Sequence, residues 1–255
     1  MKLLSVNNVS KKFSVNLHQS MLNAWGELAL SLAGLSAEKK LKQDEFQAVH
    51  NISLDLNKGQ ILCILGNNGS GKTTLMRMIY GIYSCDEGSI RAYGNIAAMF
   101  ALRTGMQPYF TGRENIRLKG SILGFSEQEL AEKTESIIEF SELGTAIDKP
   151  FGSYSSGMMS RLAYSLAIAM QPDIFIIDEG LAVGDMAFKN KCLDDLKKKR
   201  EERGVIFITH NFERIKDIAT DIIIMDKGCK IMETSNVHEG LDYYLSNYSK
   251  TSVNI

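Results

Sequence analysis

The sequence predicts an α/β protein with a mainly parallel central sheet, an antiparallel β part and an inserted helical subdomain. An apolar run at 60–65 leads through a glycine-rich loop into a helix-like run at 74–80. Two further continuous apolar runs, 174–177 and 205–209, are typical of central strands that are covered on both faces. Between the first run and these two, the pattern is helical from about Pro108 to Met170.

The bulk composition limits the class of protein. The chain has 255 residues, 44% of them hydrophobic, so it can form a large core. Its net charge of −1 gives no general attraction to nucleic acid or to an anionic membrane surface. The 4 cysteines are scattered, which suits a reducing compartment and indicates neither a disulfide scaffold nor a zinc site. The sequence has no signal peptide and no run of 18 apolar residues, so if the protein serves a membrane process, a partner must supply the membrane span.

The N-terminal region begins with a short β-like segment at 3–9 and then departs from a simple α/β pattern. Residues 14–47 form an insertion whose stretch 21–35 has apolar residues, including Trp25, at helical spacing. This amphipathic helix either packs on its own domain or faces the membrane or a partner. The alternation at 51–56 then predicts the next strand.

The glycine-rich loop runs from Gly66 to Thr73 and fits the pattern G-x-x-x-x-G-K-[ST]. Glycines let backbone N–H groups turn inward and form a nest for phosphate oxygens, at the positive end of the following helix. Lys72 would reach the β- and γ-phosphates, and the Thr73 hydroxyl would ligate Mg²⁺. This pattern predicts a P-loop NTPase core. The predicted nucleotide-binding residues are Gly66, Asn67, Asn68, Gly69, Ser70, Gly71, Lys72, Thr73 and Thr74.

Two strand-like segments, 89–92 and 95–100, follow the P-loop helix, and the composition then changes. Helices are predicted at 114–123, 127–143 and 156–170. The second begins with a capping box formed by Ser126 and Glu129. We therefore divide the chain into an α/β core at 1–105 and 172–255 and a helical subdomain at 106–171.

Acidic residues and a histidine follow the two later strands. Asp178 ends an apolar strand, at the edge of a parallel sheet where ligands gather, and suits the Mg²⁺ of Mg–ATP. Glu179 suits polarising an attacking water, unless both acids are merely solvated. His210 ends the next strand; a lone histidine is usually structural, but this one would lie beside the γ-phosphate.

The rest of the chain completes the predicted α/β core. A charged helix is expected at 186–203. A closing hairpin is expected from 222–225 and 229–232, and a short helix at 239–248.

At this point the chain resembles the ATP-binding cassette (ABC) family of ATPases. Gly66–Thr73 matches its Walker A motif, and Ile174–Asp178 matches its Walker B motif. The resemblance implies that Glu179 is the catalytic glutamate, that Asp185 lies in the D-loop, and that His210 is the switch histidine.

The family signature, Leu-Ser-Gly-Gly-Gln, falls at 154–158, where this chain keeps only Ser155 and Gly157. In this family the signature acts on ATP held by the opposite protomer, so the resemblance implies a head-to-tail homodimer that closes over two ATPs. The family's glutamine after strand 95–100 is missing, with Ala101 or Leu102 in that region and Gln107 as a later candidate.

The resemblance also implies an aromatic residue that stacks on adenine, and Phe13 is the candidate.

In three features the chain resembles one subgroup of this family, the ATPase subunits of O-antigen, capsule and teichoic acid exporters. These features are the insertion at 14–47 and the phrases at 110–116 and 178–185. The resemblance implies an ATPase that uses ATP and Mg²⁺ to export a cell-surface polysaccharide or lipid-linked glycan. It implies a second copy and a membrane permease dimer as partners, at the cytoplasmic face of the inner (plasma) membrane, and no nucleic acid. The alternatives are a cassette for another transport substrate (drug, lipid or ion), or a soluble cassette that acts on ribosomes or DNA.

Overall fold

The computed structural model describes residues 1–14, 45–178, 186–208 and 212–248. The predicted amphipathic helix at 21–35 lies outside the described residues. The strands are β1 (Lys2–Ser14), β2 (Glu45–Asn57), β3 (Ile61–Leu65), β4 (Glu87–Ala92), β5 (Ile96–Ala98), β6 (Ile174–Ile177), β7 (Gly204–Ile208), β8 (Asp221–Asp226) and β9 (Cys229–Thr234).

The helices are α1 (Lys72–Ile79), α2 (Met99–Arg103), α3 (Gly112–Ile122), α4 (Glu127–Ser141), α5 (Ser156–Ala169), α6 (Met186–Lys198), α7 (Phe212–Ile218) and α8 (Val237–Tyr248). Short 3₁₀ turns occur at Gly144–Asp148, Phe151–Ser153 and Arg200–Glu202. Within the described ranges, no helix is long and apolar enough to cross a bilayer.

The central sheet has six strands in the order β5-β6-β7-β3-β8-β9. All neighbours from β5 to β8 are parallel, and β9 returns antiparallel to β8 as a hairpin. The predicted mainly parallel sheet is therefore confirmed. Because β3 lies between β7 and β8, the loop that follows it emerges near the middle of the sheet's carboxyl edge, where α/β proteins bind ligands.

A second, three-stranded antiparallel sheet has the order β2-β1-β4, which confirms the predicted antiparallel part. The strand β1 is longer than the segment 3–9 that the sequence suggested. It continues because its far end pairs with β2, with Phe13 opposite Phe46 and Lys11 opposite Val49.

Alternate residues of β3 face two different hydrophobic layers. Ile61 and Cys63 join the layer that includes α5, α6 and α8. Leu62 and Ile64 join the layer formed with α1 and the antiparallel sheet. With both faces covered, continuous apolar runs are needed in the central strands, as the sequence has them.

The helices α3 and α4 both begin with a capping box. The box of Ser126 and Glu129 at the start of α4 is confirmed. A second box, Thr111 with Glu114, starts α3 and was not predicted. In each box the serine or threonine hydroxyl accepts from the N3 backbone while the glutamate accepts from the cap backbone, which fixes the first turn.

Several predicted boundaries were wrong. The strand expected at 95–100 ends at Ala98, and Met99 already begins α2. The helix expected at 186–203 ends at Lys198, before the 3₁₀ turn. The helix α7 was not predicted at all.

Candidate functional site

The P-loop connects β3 to α1 and has the glycine geometry that its pattern requires. Gly69 has φ +80° and Gly71 has φ +97°, backbone conformations that side chains of L-residues rarely adopt. A Cβ atom at Gly71 would lie 2.3 Å from the backbone oxygen of Ala48. Glycine is thus needed at Gly71 for two reasons, the positive φ and the close approach of β2.

Lys72 is buried, with 7% of its surface exposed, and its ammonium group is held by the loop itself. Its Nζ donates to the backbone oxygens of Gly66 at 2.6 Å and Asn67 at 2.9 Å, and to Ser70 Oγ at 3.3 Å. These contacts keep the cation at the floor of the loop, where a phosphate chain would arrive.

A cleft of about 290 Å³ opens above the P-loop. It is lined by residues 68–74 of the loop and helix, by Phe46, Gln47 and Ala48 of β2, and by Asp178 and Ile208. Asp178 directly follows β6, and Ile208 is the last residue of β7. The structure thus brings the predicted Mg²⁺ ligands Thr73 and Asp178 to one cleft, with Lys72.

Three of the predicted residues, Glu179, Asp185 and His210, lie outside the described residues. Their roles remain predictions. Asp178 directly precedes the stretch that contains Glu179 and Asp185, and Ile208 directly precedes the stretch that contains His210. Both Asp178 and Ile208 line the cleft.

The signature residues belong to the start of α5. The Ser155 hydroxyl caps this helix by accepting from the backbone N–H of Met158 at 3.2 Å. Ser155 is exposed and Gly157 half-buried, and neither is among the described residues that line the cleft. The helix N-terminus is therefore available to a ligand outside this chain's own P-loop cleft.

Phe13, the candidate for adenine stacking, is not among the described residues that line the cleft. Its ring packs against Phe46, with centroids 5.9 Å apart, and edge-on against Tyr83 at 5.3 Å. Among the residues that the structure describes, Phe46 is the aromatic residue that lines the cleft, and it is 52% exposed. Sequence reasoning missed Phe46, because its place opposite Phe13 follows from the pairing of β1 with β2, which no local sequence pattern indicates.

The region expected to hold the family's glutamine is helical here. Ala101 and Leu102 lie in α2, and Leu102 is buried with 1% exposure. The side chain of Gln107 is exposed, while its backbone N–H and oxygen both bond the buried side-chain amide of Asn115.

A contact from the C-terminal helix also reaches the P-loop. Tyr244 of α8 donates its hydroxyl to Asn67 Oδ1 at 3.2 Å. The phenol of Tyr244 is protonated and able to donate at neutral pH, because its ordinary pKa of 10.0 lies well above 7 and burial raises it further. No sequence pattern connects these two residues, because they are 177 positions apart.

The sequence is similar to those of known proteins over most of its length. The profile of the family described as "ABC transporter" matches residues 49–182. The O-antigen export system ATP-binding protein RfbB of Klebsiella pneumoniae is 33% identical over 95% of this chain and 97% of its own length. The teichoic acids export ATP-binding protein TagH of Staphylococcus epidermidis is 38% identical over 84% of this chain and 81% of its own length.

Among solved structures, the fold is similar to that of a dimeric ATP-binding cassette in a post-hydrolysis state bound to ADP and Pi. The TM-score is 0.72 at 20% identity, covering 91% of this chain and 98% of that one. The profile match and the Klebsiella pneumoniae relative settle the family: the chain belongs to the ABC transporter family, as one of its ATP-hydrolysing cassette subunits.

Proposed function

We propose that this chain is the ATPase subunit of an exporter of a cell-surface polysaccharide or lipid-linked glycan. The similarity to the O-antigen export protein of Klebsiella pneumoniae, over 97% of that protein's length, carries this proposal. The similarity to the teichoic acid export protein of Staphylococcus epidermidis also supports the proposal, because that protein belongs to an exporter of a different surface polymer.

The cleft fits Mg–ATP by the chemistry of its donors. A hydroxyl from Thr73 and a carboxylate from Asp178 line it together, and oxygen ligands of this kind suit Mg²⁺ that also binds phosphate. When bound, Mg²⁺ would neutralise charge on the β- and γ-phosphates. Thr73 and Asp178 would hold it, while the N–H groups of the loop orient the phosphates.

Lys72 would change partners when ATP binds. Its ammonium now donates to neutral oxygens of Gly66, Asn67 and Ser70. Phosphate oxygens carry charge and form stronger hydrogen bonds with a cation, so the side chain would turn from the loop floor to the β- and γ-phosphates. Phe46 or Phe13 would supply the aromatic surface for adenine.

The site would be completed by a second copy of the chain. Ser155 and Gly157 start α5 away from the P-loop cleft of their own chain, which suits a head-to-tail dimer in which they bind the partner's γ-phosphate. Glu179 would orient the attacking water and His210 would stabilise the transferred phosphoryl group. Asp185 would lie at the dimer contact.

A membrane permease dimer would provide the translocation path, with this chain at the cytoplasmic face of the membrane. In this proposal residues 1–105 and 172–255 form the nucleotide-binding core, and residues 106–171 form the helical subdomain.

The test replaces the chromosomal copy in the source organism with Glu179→Gln and measures the surface polymer and its lipid-linked precursor. We expect the polymer to disappear from the surface while the precursor accumulates inside. The exposed variant Glu139→Gln is the matched control and should export normally. Normal surface polymer in cells whose only copy is Glu179→Gln would overturn the proposal.

A further inference from the structure

The C-terminal helix α8 reaches the P-loop through one buried side chain. Tyr244 is 4% exposed, and its hydroxyl donates to Asn67 Oδ1 at 3.2 Å. Its ring stacks on Tyr248, with centroids 5.4 Å apart and planes at 23°. The hydroxyl is thus directed at the nucleotide loop by a packed ring.

The placement of α8 is fixed by its first half. Asn236 accepts a hydrogen bond from the backbone N–H of Glu239 at 3.3 Å, which caps the start of the helix. One turn later, Gly240 lies against Ile222 of β8, where an added Cβ would be 3.0 Å from the isoleucine side chain. Leu241 is fully buried beside it. This close fit to β8 determines where Tyr244 lies, one turn further on.

Asn67 is held at both its backbone and its side chain. Its backbone oxygen accepts from Ser70 N–H at 3.1 Å and from Lys72 Nζ at 2.9 Å. Its side-chain oxygen accepts from Tyr244. When Lys72 turns to a phosphate, Asn67 loses one of the two backbone contacts, and the Tyr244 contact remains.

We propose that Tyr244 is a positioning residue for the nucleotide site, and that it holds Asn67, and with it the P-loop, in the conformation that binds phosphate. This inference rests on the proposed use of the P-loop for Mg–ATP. A loop that is already ordered loses less conformational entropy when the nucleotide binds, so the contact raises affinity. Because the phosphates need the same loop conformation before and during hydrolysis, the contact acts equally on the ground and transition states. It therefore affects KM more than kcat.

The test is a double-mutant cycle on the full-length chain, with the Mg²⁺ complex of the non-hydrolysable analogue AMP-PNP as the probe. Calorimetric titration compares the wild type, Tyr244→Phe, Asn67→Ala and the double variant. Tyr243→Phe is the control, because it removes a hydroxyl from the exposed neighbouring residue of the same helix. Thermal unfolding of each variant checks that it is folded at the titration temperature.

We expect Tyr244→Phe and Asn67→Ala each to raise Kd by about two- to tenfold, the range of one net hydrogen bond. The Kd of the double variant should not exceed that of the single variant that binds AMP-PNP more weakly, because both changes remove the same contact. For ATP hydrolysis, Tyr244→Phe should raise KM by a similar factor and leave kcat unchanged.

Wild-type affinity in Tyr244→Phe, or losses that add in the double variant, would overturn the inference while leaving the nucleotide site intact. Absence of AMP-PNP binding by the wild type would instead reject the nucleotide site itself, and the inference with it.

Discussion

The ammonium group of Lys119 donates a hydrogen bond of 3.0 Å to the backbone oxygen of Ala101. A second bond, of 2.6 Å, goes to the oxygen of Thr104, which follows α2. Lys119 is 8% exposed and belongs to α3, so it ties the helical part of the chain to the segment that follows β5. Burial lowers the pKa of Lys119 below its usual value, so the desolvation of the charge offsets part of what these bonds contribute.

Lys119→Met should therefore lower the free energy of unfolding by about 1–3 kcal/mol, because it leaves two backbone acceptors without their donor. Urea denaturation measures the change. Lys197→Met removes an exposed lysine from α6 and serves as the control, with an expected change within about 0.5 kcal/mol. If Lys119→Met lowers the free energy of unfolding no more than Lys197→Met does, the two hydrogen bonds of Lys119 make no net contribution to stability.

A second relationship joins three helices through Glu142, the C-cap of α4. Its carboxylate pairs with Lys191 of α6 at 2.8 Å and with Arg161 of α5 at 3.2 Å. Ser155 caps the start of the same helix α5. These pairs therefore orient the helix that presents the signature residue.

Glu142→Gln should lower kcat for ATP by about two- to fivefold, since partly exposed pairs contribute up to about 1 kcal/mol. KM for ATP should change by less than kcat, because the P-loop, which holds most of the phosphate chain, is untouched. Steady-state kinetics on the assembled transporter measures both. Glu139→Gln, on the exposed side of α4, is the control. An increase in KM without a fall in kcat would contradict the assigned link to the signature helix.

The sequence predicted those parts of the site that depend on local pattern. The apolar runs before Gly66 and Asp178 identified two strands, and parallel pairing brings their carboxyl ends to one edge, which the cleft confirms. Periodicity could not separate β5 from α2, because the apolar run continues through Met99 and Phe100 and suits either structure.

Contacts between segments that are far apart in the chain could not be predicted from local sequence patterns. Phe46 reaches the cleft because β1 and β2 pair over their full length, and this pairing joins residues on either side of the stretch 15–44. The predicted insertion at 14–47 was therefore drawn too wide, since Ser14 belongs to β1 and residues 45–47 belong to β2. Tyr244 reaches Asn67 because Gly240 allows α8 to approach β8 closely. Each of these placements depends on the packed fold and has no counterpart in spacing or composition.

Asp55 gives the stability of the antiparallel sheet a pH dependence. Its carboxylate accepts from Lys2 Nζ and from Ser5 Oγ, each at 2.7 Å. The hydrogen bond from Lys2, and then that from Ser5, hold the pKa of Asp55 below its ordinary value of 3.8. Protonation therefore favours the unfolded chain, so the stabilisation is fully present above that value and is lost as the pH falls through the folded pKa.

Asp55→Asn should thus lower the free energy of unfolding at pH 7 by about 0.2–1 kcal/mol, a small loss because the side chains of Lys2 and Asp55 are each 46% exposed. The difference from wild type should shrink toward zero in acid below the ordinary pKa. Urea denaturation at neutral and acidic pH measures it, with the exposed Asp194→Asn on α6 as the control. A difference that does not change with pH would argue against the ion pair as its source.

Gly69 and Gly71 offer a matched pair for separating backbone strain from steric clash in the P-loop. Both have positive φ, but a Cβ at Gly69 meets nothing within 4 Å, whereas one at Gly71 meets the Ala48 oxygen at 2.3 Å. Gly69→Ala should cost about 1–2 kcal/mol of unfolding free energy, the cost of left-handed backbone. Gly71→Ala adds displacement of β2 to that strain, so we expect a loss of at least about 3 kcal/mol. Urea denaturation of the two variants measures both losses. Equal losses would mean that β2 moves away freely, and that Ala48 does not constrain the loop.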